Sequence, residues 1–257
     1  MPSHEATQML LPLWLVLLVI APFAGSFIGV VVLRNGASES VLYGRSRCDT
    51  CHRSLGWRDL IPVVSWVALG RRCRYCRAPL SAYYPLVEIA AAIPVLWAAS
   101  MMSGLPLAAS AVFGWMLLTL ALIDGRTQRL PDALTFGLIA TGLVAGYFLD
   151  RNNMTGHVIG SVLGFAAFAL VAYLYRLIRK RNGLGMGDAK LLAGLGAWLS
   201  WEALAGIILF AAIAGLVFVL GRALCQREGA IIERVPFGPF LALAGWIIWL
   251  YGPLLPA

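Results

Sequence analysis

Eight long apolar runs leave this chain few ways to fold in water. They cover roughly 10–33, 84–102, 106–123, 133–149, 157–177, 188–200, 203–221 and 237–253. A helix needs about 20 mainly apolar residues to cross a bilayer, and most of these runs supply them. Of the 257 residues, 60% are hydrophobic and only 12% are charged, so a water-facing surface could not be covered. The chain therefore reads as an all-α polytopic membrane protein of about eight transmembrane helices, with the lipid bilayer as its first partner. The sixth run is short, and a count of seven follows if it does not span. Residues Met1 to Leu10 hold His4 and Glu5 but no Lys or Arg. A cleaved signal peptide normally starts with positive charge, so the first run is expected to be a retained helix.

Charge fixes the orientation. With the N-terminus outside, the cytoplasmic loops become 34–83, 124–132, 178–187 and 222–236. These loops and their flanking helix ends hold 19 of the 20 Lys and Arg residues, leaving only Arg151 outside. That is the positive-inside distribution, and an even number of spans satisfies it. The net charge of +8 thus follows topology, and no nucleic-acid partner is expected. Gly25 and Gly29 form a G-x-x-x-G pair that lets another helix approach. Gly183, Gly185, Gly187, Gly194 and Gly196 cluster around the sixth run, the first three just before an acid.

The 34–83 loop is the one long polar segment. It divides the chain into a first helix (1–33), a loop domain (34–83) and a helical body (84–257). Cys48/Cys51 and Cys73/Cys76 form two C-x-x-C pairs within it, 21 residues apart. That gap slightly exceeds the usual zinc-ribbon range of about 15 to 20 residues. Cytosolic thiols stay reduced, so the four cysteines read as ligands of one structural zinc ion rather than as disulfides. A small loop with little continuous apolar core needs such a staple. His52 offers a replacement ligand that four cysteines make unnecessary. Cys225, alone near a helix end, reads as a small buried residue.

Four acids fall at the cytoplasmic edge of the helices. Asp124 ends the third run, Asp132 opens the fourth after Leu130-Pro131, and Asp188 opens the sixth after Gly185-Met186-Gly187. Glu88 lies near the start of the second. Asp132 suits a helix N-cap, as does Asp188, and Glu88 suits the positive end of a helix dipole. Asp124 has no such role, because the dipole disfavours an acid at a helix C-terminus. Ionisable groups near membrane depth point to function. Two carboxylates held close together share a proton; one then activates water while the other polarises a carbonyl. No H-E-x-x-H, G-x-S-x-G or P-loop competes with that chemistry.

Taken in order, these residues resemble the type IV prepilin peptidases, membrane aspartic proteases of the G-x-G-D type that also serve type II secretion. The resemblance runs through Gly25-Ser26-Phe27, Arg45-Ser46-Arg47-Cys48 to Cys51, Leu60-Ile61-Pro62 and Ser65-Trp66. It continues through Arg72-Cys73-Arg74-Tyr75-Cys76, Tyr84-Pro85-Leu86-Val87-Glu88, Ile123-Asp124 and Leu130-Pro131-Asp132. It ends with Gly185-Met186-Gly187-Asp188-Ala189-Lys190 and Pro236-Phe237-Gly238-Pro239. Where the family often has Asn, this chain has Gly29. The resemblance implies that Asp124 and Asp188 are the catalytic pair, with Asp132, Glu88 and Lys190 as secondary candidates. It also implies a bacterial inner-membrane enzyme that cleaves the basic leader of prepilins or pseudopilins after a glycine on the cytoplasmic side. Many members then N-methylate the new N-terminus with S-adenosylmethionine, and nothing in the residues themselves reads out that second activity.

Two other classes of function compete. A membrane redox protein would pass electrons through the cysteines, and tightly held zinc with inert thiols would count against it. A proton-coupled transporter would place Asp124, Asp132 and Asp188 deep in the bilayer, whereas the predicted spans keep them near one face.

Overall fold

A computed structural model describes residues 12–35, 46–48, 50–180, 185–225 and 235–252; the side chain of Cys225 lies outside that description, as do Gly183 and Arg45. The chain divides into two compact units, Met1–Trp115 and Met116–Ala257. All eight apolar runs are helical among the described residues. Five helical segments are long and apolar enough to cross a membrane: Leu13–Arg34, Gly104–Thr127, Asp132–Leu149, Arg151–Arg179 and Trp201–Leu224. The segments Tyr83–Ala99 and Gly238–Tyr251 are apolar but shorter. The protein is a nearly all-helical, multi-pass membrane protein.

The first unit contains α1 (Leu13–Arg34), the cysteine loop with its short α2 (Val64–Ala68), α3 (Tyr83–Ala90), α4 (Ala92–Ala99) and the start of α5 (Gly104–Thr127). The G-x-x-x-G pair acts as expected. A Cβ on Gly25 would lie 2.5 Å from the Glu88 Cα, and one on Gly29 would lie 3.1 Å from the Tyr84 ring. Bare backbone at these positions therefore sets how closely α1 and α3 pack. The second apolar run is not one helix but two. Pro94 has no N–H to offer the carbonyl of Ala90, four residues back, and the helix breaks at Ala91. The Ala91 carbonyl accepts instead from the Trp115 indole at 2.8 Å.

The second unit holds α6 (Asp132–Leu149), α7 (Met154–Arg179), α8 (Met186–Leu199), α9 (Leu204–Cys225) and α10 (Gly238–Tyr251). Helix α8 is the short sixth run, and it is the hub. Ala189 and every residue from Leu191 to Trp198 are buried. A Cβ on Gly196 would strike the Gly160 carbonyl of α7, and one on Gly194 would lie 2.5 Å from the Leu138 side chain of α6. Trp198 donates its indole N–H to the Leu138 carbonyl at 3.0 Å. A helix enclosed this way needs small residues more than length.

Candidate active site and metal centre

Asp124 lies one turn before the end of α5, and it is only 5% exposed. Its carboxylate accepts a hydrogen bond from the backbone N–H of Gly238 at 2.8 Å. Gly238 is the first residue of α10, where backbone N–H groups have no partner within the helix. The acid disfavoured by its own helix dipole is thus met by the positive end of another helix. A Cβ on Gly238 would lie 2.7 Å from Asp124 Oδ2, so only glycine permits the approach. Asp188, in the first turn of α8, is half-buried, and its charge and that of Asp124 act on each other. Two acids 64 residues apart in sequence thus lie within electrostatic reach of each other. A neighbouring contact holds the segment between α5 and α6 against this turn: a Cβ on Gly187 would lie 3.1 Å from Leu130.

The capping roles read from the sequence are not observed. The N-caps are Pro131 for α6 and Gly185 for α8, and neither makes a side-chain cap. Asp132 sits inside α6 and pairs instead with Lys190 Nζ of α8 at 2.5 Å. Its carboxylate is 64% exposed, which places it at the site's rim. Glu88 is not in the first turn of its helix. It is buried, and its Oε2 accepts from the Val63 N–H at 2.7 Å. Val63 has φ 59° and ψ −49°, and the Val64 N–H closes back on the Pro62 carbonyl at 2.5 Å. That is a strained γ-turn centred on a β-branched residue. Glu88 works as a brace for the cysteine loop, within the first unit. Sequence reasoning missed the part played by Gly238; the signal was the glycine directly before Pro239 at a helix start.

The cysteine loop is built from two copies of one turn. Cys48 N–H bonds to the Arg53 carbonyl at 3.1 Å, and Cys73 N–H to that of Ala78 at 2.8 Å. The His52 and Arg77 N–H groups return to the Cys48 and Cys73 carbonyls at 2.8 and 3.1 Å. An antiparallel bridge flanks each turn, Arg47 with Ser54 and Arg72 with Pro79. His52 and Arg77 both take positive φ, 55° and 63°, so each chain reverses just after its second cysteine. That turn leaves His52 exposed and outside the ligand cluster. Arg53 of the first turn lies over the Tyr75 ring of the second at 4.1 Å.

The four sulfurs all lie within 4.8 Å of one another. Cys48 and Cys76 Sγ are 3.8 Å apart. A tetrahedral ion with metal–sulfur bonds of about 2.3 Å separates its ligands by about that distance. The amides of Cys51 and Thr50 draw the Cys48 thiol down to about 6. The Ala78 amide also favours a thiolate at Cys76, but desolvation and the other sulfurs outweigh it and push that thiol up to about 11. The cysteines are positioned to bind a metal ion.

Together these features define a class: a multi-pass membrane protein with two electrostatically interacting acids near helix ends and a four-cysteine cluster positioned for a metal ion. The chain belongs to the type IV leader peptidase family. Residues 111–220 match the family described by that name, and residues 19–102 match the bacterial peptidase A24 N-terminal domain. It is 41% identical to a prepilin leader peptidase/N-methyltransferase of Dichelobacter nodosus, over 83% of this chain and 73% of that protein. Proteins of the same name from Pseudomonas aeruginosa and Stutzerimonas stutzeri are 36% and 34% identical. The first match covers 84% of this chain and 74% of the relative, and the second 93% and 91%. No solved structure matches the chain.

Proposed function

We propose that this protein is a prepilin leader peptidase and N-methyltransferase, and that Asp124 and Asp188 carry out the cleavage. The observation that carries the proposal is a buried Asp124, held by the Gly238 amide, with Asp188 within electrostatic reach of it. One carboxylate takes a proton from a water molecule as that water attacks the scissile carbonyl carbon. The other, protonated, donates to the carbonyl oxygen and so stabilises the tetrahedral intermediate. As the intermediate collapses, the proton held by the first passes to the leaving amine and a hydroxyl of the intermediate returns a proton to the second. Lys190, paired with Asp132 at the rim, supports the local charge balance rather than the chemistry.

The substrates are prepilins or pseudopilins, whose basic leader meets a hydrophobic helix at the membrane edge. Eight spans with both ends outside would put the acids on the cytoplasmic side, and the distribution of Lys and Arg supports that orientation. S-adenosylmethionine is the methyl donor of the second activity. Family membership supports it, and none of the residues described above is assigned to it. Incubating the purified protein with a prepilin should yield a leaderless product by mass spectrometry. Intact prepilin after prolonged incubation with folded protein would refute the reading.

The metal of the cysteine module is zinc, held by Cys48, Cys51, Cys73 and Cys76 as a closed structural site. Elemental analysis should find one zinc per chain, and Cys73→Ser should release it and make the loop sensitive to proteolysis. Less than a tenth of an equivalent of zinc, with four freely titrating thiols, would exclude it.

A further inference from the structure

A second polar site lies at the other end of α6 and α8, about 20 Å from the acids by the rise of α8. There the turns Arg151–Asn153 and Trp201–Ala203 close on a cavity of about 380 Å³. His157 lines it and is 5% exposed. Its Nδ1 lies 3.0 Å from the Ala197 carbonyl oxygen. A carbonyl only accepts, so Nδ1 carries the hydrogen and a neutral ring leaves a lone pair on Nε2. That Nε2 is buried and has no hydrogen-bond partner among the described residues. It faces Asp150 Oδ2 at 3.5 Å, longer than a good hydrogen bond. In the neutral ring, that Nε2 lone pair and the Asp150 carboxylate are two acceptors facing each other.

The other charged residue of the lining has the same sign as Asp150, among mostly apolar residues and the neutral Asn153 and Ser200. Glu202 lines the cavity, with its carboxylate accepting from Ser200 Oγ. Among the described residues no Lys or Arg lines it. Trp198 and Trp249 contribute aromatic walls, edge to face with ring centroids 5.5 Å apart. Acceptors, carboxylates and aromatic rings together select a cation that can donate hydrogen bonds. The volume suits a small organic group and far exceeds what one metal ion needs. Tyr147, Phe148, Trp201 and Tyr251 are exposed at this end. Such aromatic side chains mark the depth of lipid headgroups. Arg151 follows Asp150 and lies 5.0 Å over the Tyr147 ring, suited to a phosphate outside the cavity.

We propose that this cavity binds the primary ammonium of an aminophospholipid headgroup, of the phosphatidylethanolamine kind, through His157 Nε2 and the carboxylates of Asp150 and Glu202. The test uses the full chain, purified in detergent and exposed to equal amounts of phosphatidylethanolamine, phosphatidylcholine and phosphatidylglycerol, with bound lipid read by native mass spectrometry. Phosphatidylethanolamine should be retained roughly tenfold over the other two, because choline has lost the donated hydrogens and glycerol the charge. Asp150→Asn with Glu202→Gln should abolish that preference. The Asp150 side chain is 52% exposed, and both changes keep size, so the fold is preserved. Equal retention of the three lipids, or an unchanged preference in the double variant, would overturn the proposal. So would displacement of the lipid by soluble ethanolamine at equal concentration, which would make the ligand a free amine. Uptake of a second divalent ion, lost in His157→Gln but kept in Cys73→Ser, would overturn it in favour of a metal.

Discussion

Asp124→Asn and Asp188→Asn should each reduce leader removal by about 10²–10⁴-fold while the protein still inserts and folds. Asparagine keeps the size of the side chain. At position 124 its amide oxygen can still accept from the Gly238 N–H, so the junction of α5 and α10 survives. What is lost is the ability to take up and release a proton. Asp132→Asn should cost far less, because that carboxylate is exposed and its partner Lys190 can be solvated. Zinc content should be unchanged in all three variants, since the cysteines belong to the other compact unit. Cleavage rates on one prepilin, with metal content as the folding control, separate these outcomes. A loss in Asp132→Asn equal to that in Asp124→Asn would move the pair to Asp132 and Asp188.

Gly238→Ala should have the second largest effect, although it removes no functional group. The backbone N–H remains, but the added Cβ would sit 2.7 Å from Asp124 Oδ2 and 2.9 Å from its Cγ. Either the carboxylate moves away from Asp188 or the start of α10 shifts. Overpacking of this kind costs about 1–3 kcal/mol. If that cost falls on the reacting geometry, the rate drops roughly 5- to 150-fold. Gly215→Ala is the control. It lies in the same unit, and its Cβ would make only ordinary contact with Phe240 at 3.6 Å. Wild-type cleavage by Gly238→Ala would show that the Asp124 carboxylate is not held in the place where it works.

Much of this architecture could be read from the chain because the bilayer permits few alternatives. Apolar runs become helices, as these did, although the second broke in two and only five helical segments among the described residues are long and apolar enough to cross a membrane. The G-x-x-x-G pair announced the α1–α3 contact, since small residues at that spacing have few other uses in a membrane. The four cysteines came together as their spacing required. Other features depended on contacts between distant segments. Pro94 was visible, but whether a proline bends a helix or divides it depends on tertiary contacts at the break; here the Trp115 indole bonds to the carbonyl of Ala91, the residue where the helix is interrupted. Asp132 looked like a cap because local sequence favours one, yet Lys190, 58 residues away, claims its carboxylate. Glu88 looked like a dipole partner and instead braces Val63. The unusual placement of Asp124 was legible as an anomaly. Its resolution, the free amide of Gly238, required α10 to fold back from 114 residues downstream.

Asp124 and Asp188 acting as one unit is tested most directly by a double-substitution cycle. Rates of leader removal would be measured for the wild type, Asp124→Asn, Asp188→Asn and the combined variant, on one purified prepilin. If the two acids share one reaction, removing the second costs almost nothing once the first is gone, so the combined variant should match the slower single variant. Losses that multiply would contradict the account, as would near wild-type processing by Asp188→Asn.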